Sequence, residues 1–178
     1  MKIRVADITE KEKILESSEQ VSTYPTLLQA QEAGDCVFLK PVDVFLAIVK
    51  EYGYIRVKGK VQTSLGLSCS RCLSGFSIDV ASNFTIYYTK SSGEYFEDEV
   101  ELSEEDLLSA TYDGDEIDLE NEIAEQVLLE LPYKPLCNED CLGLCPKCGV
   151  DKNKTSCNCV DNQSTLAFSP LKGFKVKQ

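Results

Sequence analysis

Nine cysteines and no histidine occur in 178 residues, and eight of the nine fall at short spacings. Their order is Cys36, then Cys69-x2-Cys72, then Cys137-x3-Cys141-x3-Cys145-x2-Cys148-x8-Cys157-x-Cys159. Without imidazole, the serine and cysteine triads and the histidine-ligated zinc hydrolases are excluded. Metal, disulfide and thiol-redox chemistry are left. Zinc takes four thiolates in a tetrahedron at about 2.3 Å, and a tight Cys-x-x-Cys turn aims two sulfurs at one point. Cys145-Pro146-Lys147-Cys148-Gly149 is the stronger of the two turns, because the glycine permits the left-handed backbone needed there. Eight cysteines suffice for two zinc ions, each held by four. The favoured grouping places Cys145, Cys148, Cys157 and Cys159 on one ion, and Cys69, Cys72, Cys137 and Cys141 on the other. Spacing fixes a pair better than a quartet, so other partner assignments stay open.

Three other uses of the same sulfurs compete. Disulfides belong to oxidising compartments. The stretch from Met1 to Lys13 lacks the apolar run and small residues of a secretory leader, so a cytoplasmic location is expected. A redox Cys-x-x-Cys sits at a helix N-terminus in a βαβ setting, unlike the hairpin read below for Cys69 and Cys72. An iron–sulfur cluster uses the same ligands and would be told apart by colour. Cys36, just before an apolar strand, reads as a buried free thiol. No run approaches 18 apolar residues, so no membrane association is expected.

The elements that must position these groups follow from periodicity. Val42, Val44, Leu46 and Ile48 alternate along one strand. Ile55, Val57, Val61, Leu65 and Leu67 alternate along the next, opposite Arg56, Lys58, Lys60, Gln62 and Ser64. Counting on by twos places Cys69 at the end of the buried face. Alternation resumes after Ser74-Gly75 with Phe76, Ile78, Val80, Phe84, Ile86 and Tyr88, so Cys69 to Cys72 lies at a hairpin tip. Leu119, Ile123, Val127 and Leu131 form an i, i+4 row, giving an amphipathic helix of about four turns. Asp118 is its expected N-cap, and Pro132 and Pro135 end it. Glu10 to Glu19 suggests a short polar helix, and Tyr24-Pro25 a turn. The expected fold is α+β: an antiparallel β-rich core with one amphipathic helix and a small Cys-rich zinc ribbon. Residues 1–133 would form the core with an acidic connector and the helix. Residues 134–162 would form the zinc-ribbon region packed on it, and 163–178 a basic and apolar tail.

Charge is unevenly spread. The formal balance is −12, yet Ser91 to Tyr133 holds 16 acids and no base, leaving 14 acids against 18 bases elsewhere. Two four-thiolate zinc sites would take the total to about −16. Such a molecule repels phosphate overall, which argues against a simple coat for RNA or DNA. Any RNA or partner contact would use local basic strips, with Arg56, Lys58 and Lys60 as one candidate and Lys172, Lys175 and Lys177 as another. A solvated face is the plainer reading of both. The acidic run likewise reads as surface rather than as a hidden carboxylate pair.

The assembled pieces resemble the YceD-type family, the large ribosomal RNA subunit accumulation proteins. The resemblance rests on Leu67-x-Cys69-x-Arg71-Cys72-Leu73, on the segment from Glu125 to Leu131-Pro132, and on Cys137-x3-Cys141-x-Gly143-Leu144-Cys145-Pro146-x-Cys148-Gly149. It runs from about Val42 to Phe174. The sequence departs from the family's Asn-Leu-Asn after Gly149, reading Val-Asp-Lys-Asn; the ligands are unaffected. Some members keep the hairpin pair without the terminal knuckle, which implies two separable sites. The resemblance implies a bacterial cytoplasmic factor needed for normal levels of large-subunit ribosomal RNA, with no catalytic step. The residues agree in offering no nucleophile–base pair and no phosphate loop. A non-catalytic zinc protein of ribosome biogenesis, acting through a ribosomal or RNA-processing protein partner or a limited RNA contact, is therefore expected. A direct nucleic-acid-binding zinc-ribbon module is the alternative, and a Cys69/Cys72 thiol enzyme the third reading.

Overall fold

The computed structural model describes residues 1–91 and 109–159. A six-stranded mixed sheet organises the chain, with β2 (Lys13–Glu19), β4 (Val42–Glu51), β5 (Tyr54–Ser68), β6 (Gly75–Lys90) and β7 (Ser109–Tyr112) side by side in that order. The pairings are antiparallel except β6 with β7, which is parallel. The short β3 (Val37–Phe38) pairs with β5 at Leu65 and Gly66, beyond the stretch of β5 that β4 covers. Between them, Leu39 N–H donates to the Ser64 carbonyl at 2.9 Å and Thr63 Oγ1 donates to the Lys40 carbonyl at 3.0 Å. That edge of β5 is thus hydrogen-bonded across the join. A second, two-stranded sheet pairs β1 (Lys2–Arg4) with β8 (Glu116–Asp118).

The alternation expected of β4 and β5 is present: Val42, Val44, Leu46, Ile48, Ile55, Val57, Val61, Leu65 and Leu67 are all buried. From Val42 to Val61 they bury because α1 (Pro25–Ala33) and α2 (Glu120–Leu129) cover that face, bringing Tyr24, Leu27, Ile123, Ala124 and Val127 into one cluster with them; Leu65 and Leu67 belong to a second cluster. Ser82 Oγ donates to Gln126 Oε1 at 3.2 Å and ties α2 to β6.

Several expectations are corrected. There are two described helices rather than one, and the sheet is mixed rather than wholly antiparallel. Glu10 to Glu19 is not a helix. Its last seven residues are β2, because all seven pair with β4, and that pairing outweighs a weak local preference for helix. Pro25 opens α1 rather than a turn, its fixed φ and missing N–H suiting a first helical position. The acidic connector, read over 91–116, contains β7 and runs into β8 at Glu116. Helix α2 is shorter than four turns. Leu119 is its N-cap, while the Asp118 carboxylate still accepts the Glu120 N–H at 3.1 Å. Glu104 to Leu108, whose residues suggest a further helical turn, lies outside the described residues.

Three apolar clusters run in series along β5. Phe38 packs on both the main core and a second cluster of Cys36, Leu65, Leu67 and Val80. Phe76 joins that second cluster to a third of Cys69, Cys72 and Cys141. Hydrocarbon thus grades into sulfur toward the β5–β6 turn.

Candidate metal centres

The β5–β6 register ends at Ser68 opposite Gly75, which sets residues 69–74 as the connecting turn. Leu73 N–H donates to the Cys69 carbonyl and Cys69 N–H to the Ser74 carbonyl, both at 2.9 Å, while Arg71 N–H points at Cys69 Sγ from 3.4 Å. Leu73 takes φ 59°, the only non-glycine residue with positive φ among those described. The terminal knuckle repeats this backbone: Gly149 N–H donates to the Cys145 carbonyl at 2.8 Å with φ 73° at Gly149. In both turns the residue after the second cysteine is left-handed. Only the glycine advertised it.

Two quartets of thiols result, Cys69, Cys72, Cys137 and Cys141 (proximal) and Cys145, Cys148, Cys157 and Cys159 (distal). Within each, the four sulfurs lie within 4.8 Å of one another. Cys69 and Cys141 sulfurs are 3.8 Å apart, and those of Cys72 and Cys137 are 3.6 Å apart. A tetrahedron with about 2.3 Å metal–sulfur bonds has edges of about 3.8 Å, whereas a disulfide needs about 2.05 Å. The donor set therefore fits a four-coordinate thiophilic ion. All nine cysteines are free, and Cys36 lies apart in the second cluster, its thiol pushed up by burial.

The proximal quartet is assembled across the fold. Ser70 N–H reaches the Pro135 carbonyl at 2.8 Å, Leu144 N–H reaches the Arg71 carbonyl at 3.0 Å, and Arg71 Nη1 donates to the carbonyls of Glu139 (3.1 Å) and Cys141 (2.9 Å). Gly143, at φ 72°, runs so close that a Cβ there would stand 3.0 Å from the Arg71 carbonyl oxygen. Arg71 and Gly143 were singled out in the sequence only as letters of a motif; their role is to dock the cysteine-rich segment on the turn. In this quartet Cys69, Cys72 and Cys141 are buried, while in the distal one Cys148 and Cys159 are exposed. The expected ribbon is not formed as paired strands: 134–159 is a series of turns with one antiparallel bridge, Leu144 to Asp151.

Electrostatics separates the sulfurs by role. Backbone N–H groups, led by that of Cys137, pull the Cys69 thiol down to about 6. Those of Cys148 and Lys147 do the same for Cys145. The hydrogen bond with Cys72 pushes Cys137 up to about 12, and that with Cys148 pushes Cys159 to about 12. Close-packed sulfurs share protons that a divalent cation would displace.

Residues 57–175 match the family model described as large ribosomal RNA subunit accumulation protein YceD. The chain belongs to the YceD family. Among relatives, the chloroplastic large ribosomal RNA subunit accumulation protein YCED homolog 1 of Zea mays is 30% identical over 156 residues, which are 75% of this chain and 53% of that protein. Its Arabidopsis thaliana counterpart is 28% identical over 152 residues, 74% of this chain and 47% of that one. An uncharacterized Mycobacterium tuberculosis protein is 39% identical over 98 residues, 54% of this chain and 44% of that one. The chain thus spans about half the length of the plant relatives. No solved structure matches it.

In this YceD chain the basic strip is divided. Arg56 is occupied by Glu51, its Nε 2.7 Å from Oε1. Lys58 and Lys60 are exposed on the sheet face away from the helices, where Lys60 pairs across from the exposed Phe45. Lys172, Lys175 and Lys177 lie outside the described residues. No described helix is long and apolar enough to cross a membrane.

Proposed function

We propose that this chain is a non-catalytic accessory factor of ribosome biogenesis, required for accumulation of large-subunit ribosomal RNA. It carries two structural zinc ions and acts in the cytoplasm through a ribosomal or RNA-processing protein. The observation that carries the reading is the family match across residues 57–175. The two thiol quartets support the metal part, since four sulfurs at tetrahedral spacing suit zinc. Asp113, Asp115, Glu116, Asp118, Glu125 and Glu130 are the exposed acids of the Ser91 to Tyr133 run among the described residues, a charge suited to a basic partner.

Depletion of the protein should lower the ratio of large- to small-subunit ribosomal RNA, with recovery by the intact chain but not by Cys69→Ser/Cys72→Ser. An unchanged ratio on depletion overturns the biogenesis role. Affinity capture should recover ribosomal or RNA-processing proteins, and charge reversal across 97–106 should weaken that capture. Exposed Lys58 and Lys60 beside Phe45 favour a second reading, direct RNA contact on the open sheet face. That reading requires RNA affinity that falls steeply with salt and is lost in Lys58→Ala/Lys60→Ala.

A further inference from the structure

Asn153 lies in the stretch between Cys148 and Cys157, within the loop that the distal quartet closes. Its side chain nevertheless serves the proximal quartet: Nδ2 donates to Cys141 Sγ at 3.3 Å, while Oδ1 accepts the Leu142 N–H at 2.8 Å. Asp151 fixes the amide in place, accepting both the Asn153 backbone N–H (3.0 Å) and Nδ2 (2.7 Å). The Asp151 carboxyl is held below its ordinary value by that same backbone N–H. Lys152 N–H adds a 3.0 Å bond to the Gly143 carbonyl, and Leu144 bridges to Asp151. The loop of one quartet is thus clasped to the ligand-bearing segment of the other.

We propose that Asn153 is a positioning residue coupling the two centres: closing the distal loop around its ion delivers a hydrogen bond to a proximal thiolate. The inference rests on the two-centre reading above. Four thiolates around a divalent cation carry a net charge of −2, and an N–H aimed at sulfur stabilises that excess. Partners behind the ligands of this kind are worth roughly 10–100-fold in metal affinity. Because binding free energies are reciprocal, a filled proximal centre raises distal affinity by the same factor.

The test titrates the full, metal-stripped chain with Co²⁺, whose thiolate charge-transfer and tetrahedral d–d bands report each site, followed by Zn²⁺ competition. The intact chain should take two equivalents with positive cooperativity. Asn153→Ala should still take two equivalents, with proximal affinity lowered about tenfold and cooperativity lost. Asn153→Asp keeps an acceptor for the Leu142 N–H but offers no donor to sulfur, so it should fail alongside Asn153→Ala. In a Cys157→Ser/Cys159→Ser background, where the distal loop is not closed, Asn153→Ala should change proximal affinity far less. Unaltered proximal binding in Asn153→Ala, recovery in Asn153→Asp, or an undiminished effect in the distal-disabled background each overturns the coupling while leaving two metals in place. Uptake of fewer than two equivalents by the intact chain overturns the two-centre reading itself.

Discussion

Leu73 and Gly149 occupy the same place in two equivalent turns, and their side chains make them unequal. A left-handed backbone costs a residue with a Cβ about 1–2 kcal/mol, and glycine almost nothing. Leu73 is largely exposed, so its side chain contributes little packing in return. Leu73→Gly should therefore raise the thermal midpoint of the metal-loaded protein by about 2–8 °C, and Gly149→Ala should lower it comparably. Calorimetry of the two variants decides it, and a lower midpoint in Leu73→Gly sinks the argument. This also explains what the sequence left hidden: the distal turn was legible from its glycine, while the proximal turn carried leucine and could be recognised only by its cysteine spacing. The sulfurs themselves make a second prediction. Cys137 and Cys159, each pushed up to about 12 by a neighbouring sulfur in the closed quartets, hold their protons at neutral pH, as does any cysteine freed to the ordinary thiol value of about 8.5 when the segment opens. Metal must expel those protons, so affinity rises with pH and falls on acidification, by at least about tenfold per pH unit at each centre between pH 6 and 8. Zinc competition across that range measures the slope, and a flat profile contradicts the proton-sharing picture.

Strands β5 and β6 are the elements that carry the proximal pair of cysteines outward, and one contact along them invites a test. The Phe84 ring lies over Gly59, its cross-strand partner, where any Cβ would overlap the ring. Glycine in a strand interior weakens it unless something packs in the space, and here an aromatic side chain does. Gly59→Val should destabilise by about 1–3 kcal/mol through overpacking, and adding Phe84→Ala should return part of that loss. Denaturant unfolding of the single and double variants reads it out; an additive double mutant contradicts the contact. At the other end, Gly143→Ala should disrupt docking, because the added Cβ presses on the Arg71 carbonyl and the backbone there is left-handed. Its expected signature is weakened metal binding by the proximal quartet with the sheet intact in far-ultraviolet circular dichroism. Period-two alternation made β4, β5 and β6 readable because one face is buried and the other wet. β2 was not readable: Lys13–Glu19 is a polar edge strand whose conformation comes from its neighbour, β4. The crossing of 141–144 over the hairpin turn depends on partners 70 residues away, which no local pattern encodes.

At the scale of the whole molecule, two sources of order meet at the hairpin turn. The sheet and its helices bury an extended apolar cluster, with Leu27, Leu46, Ile48, Val57, Ile117 and Ile123 almost fully covered. Beyond the turn, residues 134–159 contribute only Leu136 and Leu144, both half-buried, to the cluster around the proximal sulfurs. Fully burying one such side chain yields about 1.5–3 kcal/mol, whereas ordering each backbone residue costs about 1–2 kcal/mol. Two leucines cannot hold 26 residues; a structural zinc site, at about 10–16 kcal/mol in isolated peptides, is of the right size. Removing metal should therefore unfold the molecule in parts. With a strong chelator and a reductant, amide exchange should become fast throughout 134–159 and at the turn residues 70–73, while β4, β5 and α2 stay protected. The distal centre should empty first, because Cys148 and Cys159 face solvent while three proximal cysteines are buried. Cys145→Ser should thus leave the hairpin turn protected, and Cys72→Ser should expose it. Protection of 134–159 that survives complete chelation would mean that the segment is ordered by something other than its sulfurs, and the arrangement of both quartets would then need a different cause.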